Sequence, residues 1–210
     1  MRYIDLSHPL VNGLPGYPGD PQLSVADCGR IATHSCNVSQ IALSTHTGTH
    51  LDAMSHIFDD GRTLEQMPLE WFHGPARMLR LPKEPNTGIT RADLEPFEAH
   101  LKPGAKIILN TGWHRQFGTP RFFEDHPSLT IDAARHLASR GIRLLGMDLP
   151  SPGKDWLELH RILLAKDVEM VLVESLANLD ALPDEFTFIG FPLNFAGRDG
   201  SPIRAVALCP

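Results

Sequence analysis

The sequence has few cysteines and no concentration of positive charge. Only three of its 210 residues are cysteines, Cys28, Cys36 and Cys209, and no two of them form a C-x-x-C pair. An odd number of cysteines without such a pair is typical of free thiols in a reducing compartment. The 19 Lys and Arg residues form no basic run, 25 residues are acidic, and the net charge is -6. This balance argues against a nucleic-acid partner.

Long hydrophobic segments are also missing. The first residues, Met1–Ser7, lack the apolar core of a signal peptide, and no segment is long and apolar enough to span a bilayer. These absences predict a cytoplasmic protein without a membrane partner. Cys28 and Cys36 would pair only if the protein were exported.

Several common catalytic motifs are absent. The chain has no G-x-S-x-G nucleophile elbow, no G-x-x-x-x-G-K-[ST] phosphate loop and no cysteine with an adjacent histidine. The glycines at positions 13, 16 and 19 alternate with prolines, unlike those of a dinucleotide-binding turn. The sequence therefore gives no support for any of these four types of site.

The order of the predicted elements indicates one mixed α/β domain over residues 1–210, a length that suits a single domain. Helices are predicted to begin at Thr90, Thr130 and Trp156, and Gly141 is expected to end the second of them. Strands are predicted at residues 2–6, 34–44, 74–81, 105–110, 142–147, 168–174, 186–193 and 203–208. Because the first half lacks crossover helices, a curved, barrel-like mixed sheet is favoured over a doubly wound one.

Histidines are concentrated in one segment of the chain. Of the 11 histidines, His46, His50 and His56 fall close together, with Asp52 among them. The spacing H-x-x-x-H-x-D puts two imidazoles and a carboxylate on one short segment, and these groups suit zinc, manganese or a similar divalent ion. Gly48 is a poor helix former, which predicts a turn rather than the helix of an H-E-x-x-H protease. A structural cluster of hydrogen-bonded histidines is the alternative.

Two residues further along the chain, Glu174 and His160, can be explained without a metal ion. Glu174 ends an apolar strand, where a half-buried carboxylate costs several kcal/mol unless it is paired or bound to metal. An arginine partner would explain Glu174. His160 lies on a predicted helix, where a surface position would explain it.

The segment from His46 to His56 resembles the H-x-G-T-H-x-D-x-P-x-H signature of the cyclase-like metal hydrolase family, with Met54 in place of the signature proline. That family includes bacterial kynurenine formamidase and isatin hydrolase. Residues 5–10, 17–21, 160–164 and 174–179 are also similar to it, so the resemblance covers most of the chain. It implies a mixed α/β domain around a curved sheet, assembled as a homodimer or larger oligomer.

The resemblance also implies roles for individual residues. It assigns a metal centre of one or two divalent ions, zinc first and manganese as the alternative, to His46, His50, Asp52, His160 and Glu174. It makes His56 the general acid or base. Tyr17 stands where formamidases have Trp, and it is expected to help wall an aromatic substrate.

The implied reaction is hydrolysis of a small aryl amide, with N-formylkynurenine as the leading substrate. A divalent metal would lower the pKa of a water molecule to about 7, and His56 would protonate the departing nitrogen. Three alternatives remain open: opening of isatin or another cyclic amide, metal or ligand binding without catalysis, and a purely structural histidine cluster.

Overall fold

The structure is a computed structural model that describes residues 1–210, in which short helices connect the strands. The strands are β1 (Arg2–Asp5), β2 (Ser24–Gly29), β3 (Val38–Ala42), β4 (His50–Asp52), β5 (His73–Arg80), β6 (Gly88–Ile89), β7 (Lys106–Asn110), β8 (Ser128–Leu129), β9 (Leu144–Met147), β10 (Val171–Glu174), β11 (Glu185–Ile189), β12 (Gly200–Pro202) and β13 (Val206–Cys209). The α-helices are α1 (Ile31–His34), α2 (Arg91–Leu94), α3 (Arg121–Glu124), α4 (Ile131–Ser139) and α5 (Trp156–Leu163). Short 3-10 helices cover Met54–His56, Leu64–Gln66, Leu69–Trp71, Glu95–His100, Trp113–Gln116 and Leu179–Ala181.

Nine strands form one sheet in the order β1-β13-β11-β5-β7-β9-β10-β4-β12. The four central strands β5, β7, β9 and β10 run parallel, and every other neighbouring pair is antiparallel. The sheet curls into a half-barrel, which confirms the curved mixed sheet predicted from the sequence. The predicted preference over a doubly wound sheet is therefore also correct.

Both faces of the central strands are buried. Because side chains alternate along a strand, Ile107 and Leu109 of β7 pack on one side while Ile108 packs on the other. The first side meets α4 and α5 through Leu137 and Leu159, among other residues. The second side contains no residue of either helix, and other strands pack there together with 3-10 helix residues such as Met54, Leu64 and Leu179. Helices α4 and α5 thus cover one face, and strands of the curled sheet with short 3-10 helices cover the other.

Helix α4 begins and ends where the sequence predicts. The Thr130 Oγ1 accepts a hydrogen bond from the Ala133 amide at 3.2 Å. Gly141 follows the helix with φ of 66°, a left-handed conformation that glycine adopts without strain. Both signals are confirmed.

Other predicted boundaries are less accurate. The helix from Thr90 stops at Leu94 and continues as a 3-10 helix, because Pro96 has no amide hydrogen for the α-helical pattern. The strand predicted over 168–174 starts only at Val171, since Glu169 has a left-handed backbone with φ of 50°. The extended region predicted over 34–44 is a strand only in β3, after the helical turn α1.

All three cysteines are free thiols, as the sequence predicts, with Cys28 and Cys36 exposed and Cys209 buried. None of the helices has both the length and the apolar character needed to cross a membrane.

The cap of α4 gives a test of the fold. Replacing Thr130 by Ala removes the acceptor for the Ala133 amide and is expected to lower the free energy of unfolding by about 1 kcal/mol. Urea denaturation measures this change. Thr130→Ser keeps the hydroxyl and should retain most of the stability, so equal losses in the two variants would contradict the capping role.

Candidate metal centre

A tight turn positions the histidine-rich segment. Gly48 has φ of 65°, and a Cβ at this position would lie 2.6 Å from Leu10 Cδ2, so a side chain here would be both strained and obstructed. The turn leads directly into β4. Because side chains alternate along a strand, His50 and Asp52 share one face and Leu51 lies on the other. The segment is a turn followed by a strand, in agreement with the prediction that it is not a long helix.

Strand pairing brings Glu174 to this segment. In the antiparallel pair of β4 and β10, Glu174 lies directly across from His50. Its carboxylate lies 3.4 Å from His50 Nε2 and 3.4 Å from His160 Nε2. The arginine partner considered from the sequence is wrong, because histidines take that place.

His160 enters from helix α5. It is 4% exposed and lies on the buried side of the helix with Leu159 and Leu163. The surface position considered from the sequence is therefore wrong. Packing of the apolar side of α5 against the sheet carries His160 into the same cluster as Glu174.

Backbone carbonyls fix the orientation of two of these rings. His50 Nδ1 donates to the Gly48 carbonyl at 2.8 Å, and His160 Nδ1 donates to the Trp156 carbonyl at 2.7 Å. A carbonyl oxygen can only accept, so the hydrogen must be on Nδ1 in both rings. Each Nε2 is then directed toward the carboxylates, the arrangement that metal-binding histidines commonly adopt.

The distances between candidate ligand atoms fit divalent cations. Asp52 Oδ1 lies 2.8 Å from His46 Nδ1 and 3.4 Å from His50 Nε2, while Asp52 Oδ2 lies 3.5 Å from His160 Nε2. Ligand atoms about 2.1 Å from a tetrahedral zinc lie about 3.4 Å from one another, which matches the distances to His50 and His160. The shorter contact with His46 is a hydrogen bond. Three sets of ligand atoms each converge within 4.8 Å: His46, His50 and Asp52; Asp52, His160 and Glu174; and, nearer to solvent, His46, His56 and Asp199. The first two sets are buried more deeply and share Asp52.

Two buried oxygens have no hydrogen-bond partner. They are Asp52 Oδ2 and Glu174 Oε1. Both face His160 Nε2, at 3.5 and 3.4 Å, and burying them costs several kcal/mol unless a proton on that imidazole or a bound cation offsets it. The residues present therefore fit a divalent metal ion.

The charges in the cluster depend on one another. Burial raises the pKa of Asp52, but the neighbouring His160 and His46 imidazoles outweigh it and hold that pKa well below its usual range. Burial lowers the pKa of His46 and His160, but their carboxylate neighbours raise both to about 10. Protons on the imidazoles thus neutralise the carboxylates, and a divalent cation can take the place of those protons.

His56 lies between this cluster and solvent. It ends the short 3-10 helix Met54–His56, and its side chain is 24% exposed. Its ring centroid is 4.1 Å from that of His46 and 5.3 Å from that of His160. The ring is therefore adjacent to both sets of ligand atoms that contain Asp52.

Asp199 is a residue of this site that the sequence did not reveal. Its Oδ2 lies 2.8 Å from His46 Nε2 and 3.7 Å from His56 Nδ1. It directly precedes the three-residue strand β12, in a polar segment with no hydrophobic pattern. No motif in the sequence connects it to the histidines, from which it is separated by more than 140 residues.

The cluster opens into a cavity of about 430 Å³. Aromatic side chains line it, namely Tyr17, Phe117, Phe123 and Trp156. The Tyr17 and Phe123 rings meet edge to face with centroids 6.1 Å apart. The glycine- and proline-rich loop from Pro15 to Asp20 forms one wall, and no Lys or Arg lines the cavity. This arrangement suits an aromatic ligand of small size.

Comparison with known proteins identifies relatives across nearly the whole chain. The kynurenine formamidase of Bacillus cereus is 34% identical over 210 residues, which are 98% of this chain and 96% of that protein. The structure is similar to that of isatin hydrolase A from Labrenzia aggregata bound to benzyl benzoate, with a TM-score of 0.86, 25% identity and coverage of 98% and 93% of the two chains. It is also similar to a potential metal-dependent hydrolase with cyclase activity, with a TM-score of 0.83, 25% identity and coverage of 100% and 99%.

A family model confirms the resemblance found in the sequence. The model described as putative cyclase matches residues 4–154, which include the histidine-rich segment. Together with the relative that is 34% identical, this match shows that the chain belongs to the cyclase family.

Proposed function

We propose that this protein is a metal-dependent hydrolase that cleaves N-formylkynurenine to kynurenine and formate, a step in tryptophan catabolism. The observation that carries the proposal is the convergence of three imidazoles and two carboxylates beside a cavity with aromatic walls. The 34% identity to a kynurenine formamidase supports the substrate. Water is consumed as the bond between the formyl carbon and the aryl nitrogen breaks.

We assign the metal centre to the residues that converge in the structure. His46 Nδ1, His50 Nε2 and Asp52 would hold a first ion, and Asp52 would share a second with His160 and Glu174. Nitrogen and oxygen donors at these separations suit zinc, with manganese as the alternative. A bound divalent ion would act as a Lewis acid on the amide carbonyl and lower the pKa of water.

His56 is proposed as the general acid and base. Its ring lies beside the candidate ligands but is partly open to the cavity, so it can reach substrate. An anilide nitrogen leaves poorly without a proton, and a positioned acid typically contributes about 10² to 10⁴ in rate. Tyr17 and its aromatic neighbours would wall the aryl ring.

A cyclic amide is the second candidate substrate. The backbone matches isatin hydrolase A with a TM-score of 0.86, although the sequence identity is only 25%. The same ligands and the same proton donor would serve to open the ring of isatin. The two candidates share a mechanism and differ in the substrate that the cavity accepts.

Two further proposals concern the cellular location of the protein and the extent of its domain. We propose a cytoplasmic enzyme because all three cysteines are free thiols. We treat residues 1–210 as one domain because strands from both ends of the chain pair in one sheet.

The hairpin of β2 and β3 supports a homodimer or larger oligomer. It pairs with no strand of the large sheet, and a two-stranded hairpin is at best marginally stable alone in water. Ile31, Val38 and Ile41 are 67%, 50% and 59% exposed on it. A second copy of the chain would cover these side chains.

Single substitutions separate metal binding from proton transfer. His50→Ala is expected to lose both metal and activity, because it removes a buried candidate ligand. His56→Ala should retain metal but lose about 10² to 10⁴ in kcat. Metal content and kcat are measured on the same preparations, with His100→Ala as a control outside the site. A fully active, metal-free His50→Ala protein would contradict the assignment of His50 as a ligand of a catalytic metal.

The choice of substrate is tested on one metal-loaded preparation. N-formylkynurenine should be hydrolysed with a kcat/KM about tenfold or more above that for isatin. Formation of kynurenine and of the ring-opened product is followed spectroscopically. A preference for isatin would contradict the formylkynurenine assignment and make a cyclic amide the favoured substrate.

Light scattering after size-exclusion chromatography tests the oligomer. The expected mass is at least twice the 23.2 kDa of the chain. Ile41→Asp should shift the protein toward the monomer, because it places a charge on the hairpin. Leu69→Asp introduces the same charge at an exposed leucine outside the hairpin and should leave the mass unchanged. A wild-type monomer would contradict the proposal.

A further inference from the structure

Asp199 and Asp52 hold the His46 ring from opposite sides. Asp52 Oδ1 lies 2.8 Å from His46 Nδ1, and Asp199 Oδ2 lies 2.8 Å from His46 Nε2. Asp52 belongs to the two sets of candidate ligands that include His50, His160 and Glu174, whereas Asp199 belongs only to the set with His46 and His56. The two carboxylates therefore have different surroundings.

The contacts of Asp52 identify the nitrogen that faces the metal centre. Its Oδ1 also lies 3.4 Å from His50 Nε2, so His46 Nδ1 shares its surroundings with a second candidate ligand. His46 Nε2 is directed away, toward Asp199. Backbone carbonyls hold the outer nitrogens of His50 and His160, whereas a carboxylate holds that of His46. A carboxylate acceptor fixes the tautomer and makes the imidazole a more basic ligand.

The same oxygen of Asp199 also faces His56. The distance from Oδ2 to His56 Nδ1 is 3.7 Å, which allows charge attraction but is too long for a hydrogen bond. One carboxylate thus lies against both a candidate ligand and the proposed proton donor.

The surrounding backbone holds Asp199 in place. Its carbonyl accepts the Ala53 amide at 2.8 Å, and Thr45 Oγ1 lies 3.3 Å from its Oδ2. Gly200 follows, and a Cβ there would lie 2.8 Å from His46 Cε1 and 3.0 Å from the Leu51 carbonyl. The absence of a side chain at Gly200 allows this close approach of β12 to β4 and to His46.

We infer that Asp199 is a positioning residue that orients His46 for metal binding and His56 for proton transfer. The part concerning His56 rests on the proposed function, and the part concerning His46 rests on metal binding alone. Through its one carboxylate, Asp199 thus links metal binding at His46 to the position of His56.

Asp199→Asn tests this inference, since the amide has similar size but no charge. Zinc is titrated into metal-free protein in competition with a chromogenic chelator. We expect the variant to bind zinc about 10- to 100-fold more weakly. At saturating zinc, kcat should fall about tenfold or more with little change in KM. Asp167→Asn, at an exposed carboxylate without a charged partner, is the matched control.

The thermal unfolding of the metal-free variant separates positioning from general stability. The variant should still unfold in one cooperative transition, at a midpoint only modestly below that of the wild type, because it loses the charge beside His46 Nε2 but keeps an oxygen that can accept the hydrogen bond of that nitrogen. Unchanged zinc affinity would overturn the inference, and weaker affinity with unchanged kcat would overturn the part concerning His56. If the wild type binds zinc but hydrolyses no formyl amide, the proposed function fails. A weakened zinc affinity of Asp199→Asn would still support the positioning of His46.

Discussion

Two carboxylates, Asp52 and Glu174, lie within one buried cluster, and each has an oxygen without a hydrogen-bond partner. Like charges at such a position repel one another and lose their hydration, which costs several kcal/mol unless positive charge is close. Three histidines surround the pair and present ring nitrogens to it. The arrangement is stable with protons on the imidazoles or with a divalent cation among them. The chemistry proposed for this protein depends on that exchange of protons for metal.

Hydrophobic packing and strand pairing, rather than catalytic requirements, determine where the fold places these groups. Burial of both faces of the central parallel strands fixes β10 within the sheet, and antiparallel pairing with β4 then sets His50 opposite Glu174. Packing of the apolar side of α5 fixes His160. Aromatic residues and the proline-rich loop complete the cavity beyond the cluster. Four candidate ligands are therefore held by elements that the hydrophobic core already orders, and the fifth, His46, lies in the turn before β4.

The parts of the site that were predictable from the residues are those that depend on short stretches of chain. The segment 46–52 contains a turn and a strand with alternating side chains, so its convergence can be deduced from spacing alone. Spacing could not place His160 or Glu174, which only the family resemblance assigned to the site, because their burial depends on the register of β10 and the docking of α5. Asp199 was missed altogether, since it meets His46 only through the pairing of two three-residue strands. The larger strands and helix α4 were predicted well because their hydrophobic patterns and caps are local.

The proposed chemistry requires His46, His50 and Asp52 to bind one divalent ion. Anomalous X-ray diffraction from crystals of the zinc-loaded protein, collected on either side of the zinc absorption edge, tests this directly. The account predicts an anomalous peak about 2.0 to 2.3 Å from His46 Nδ1, His50 Nε2 and an oxygen of Asp52. A zinc-loaded crystal with no peak at that position, or with its peak at other residues, would contradict it.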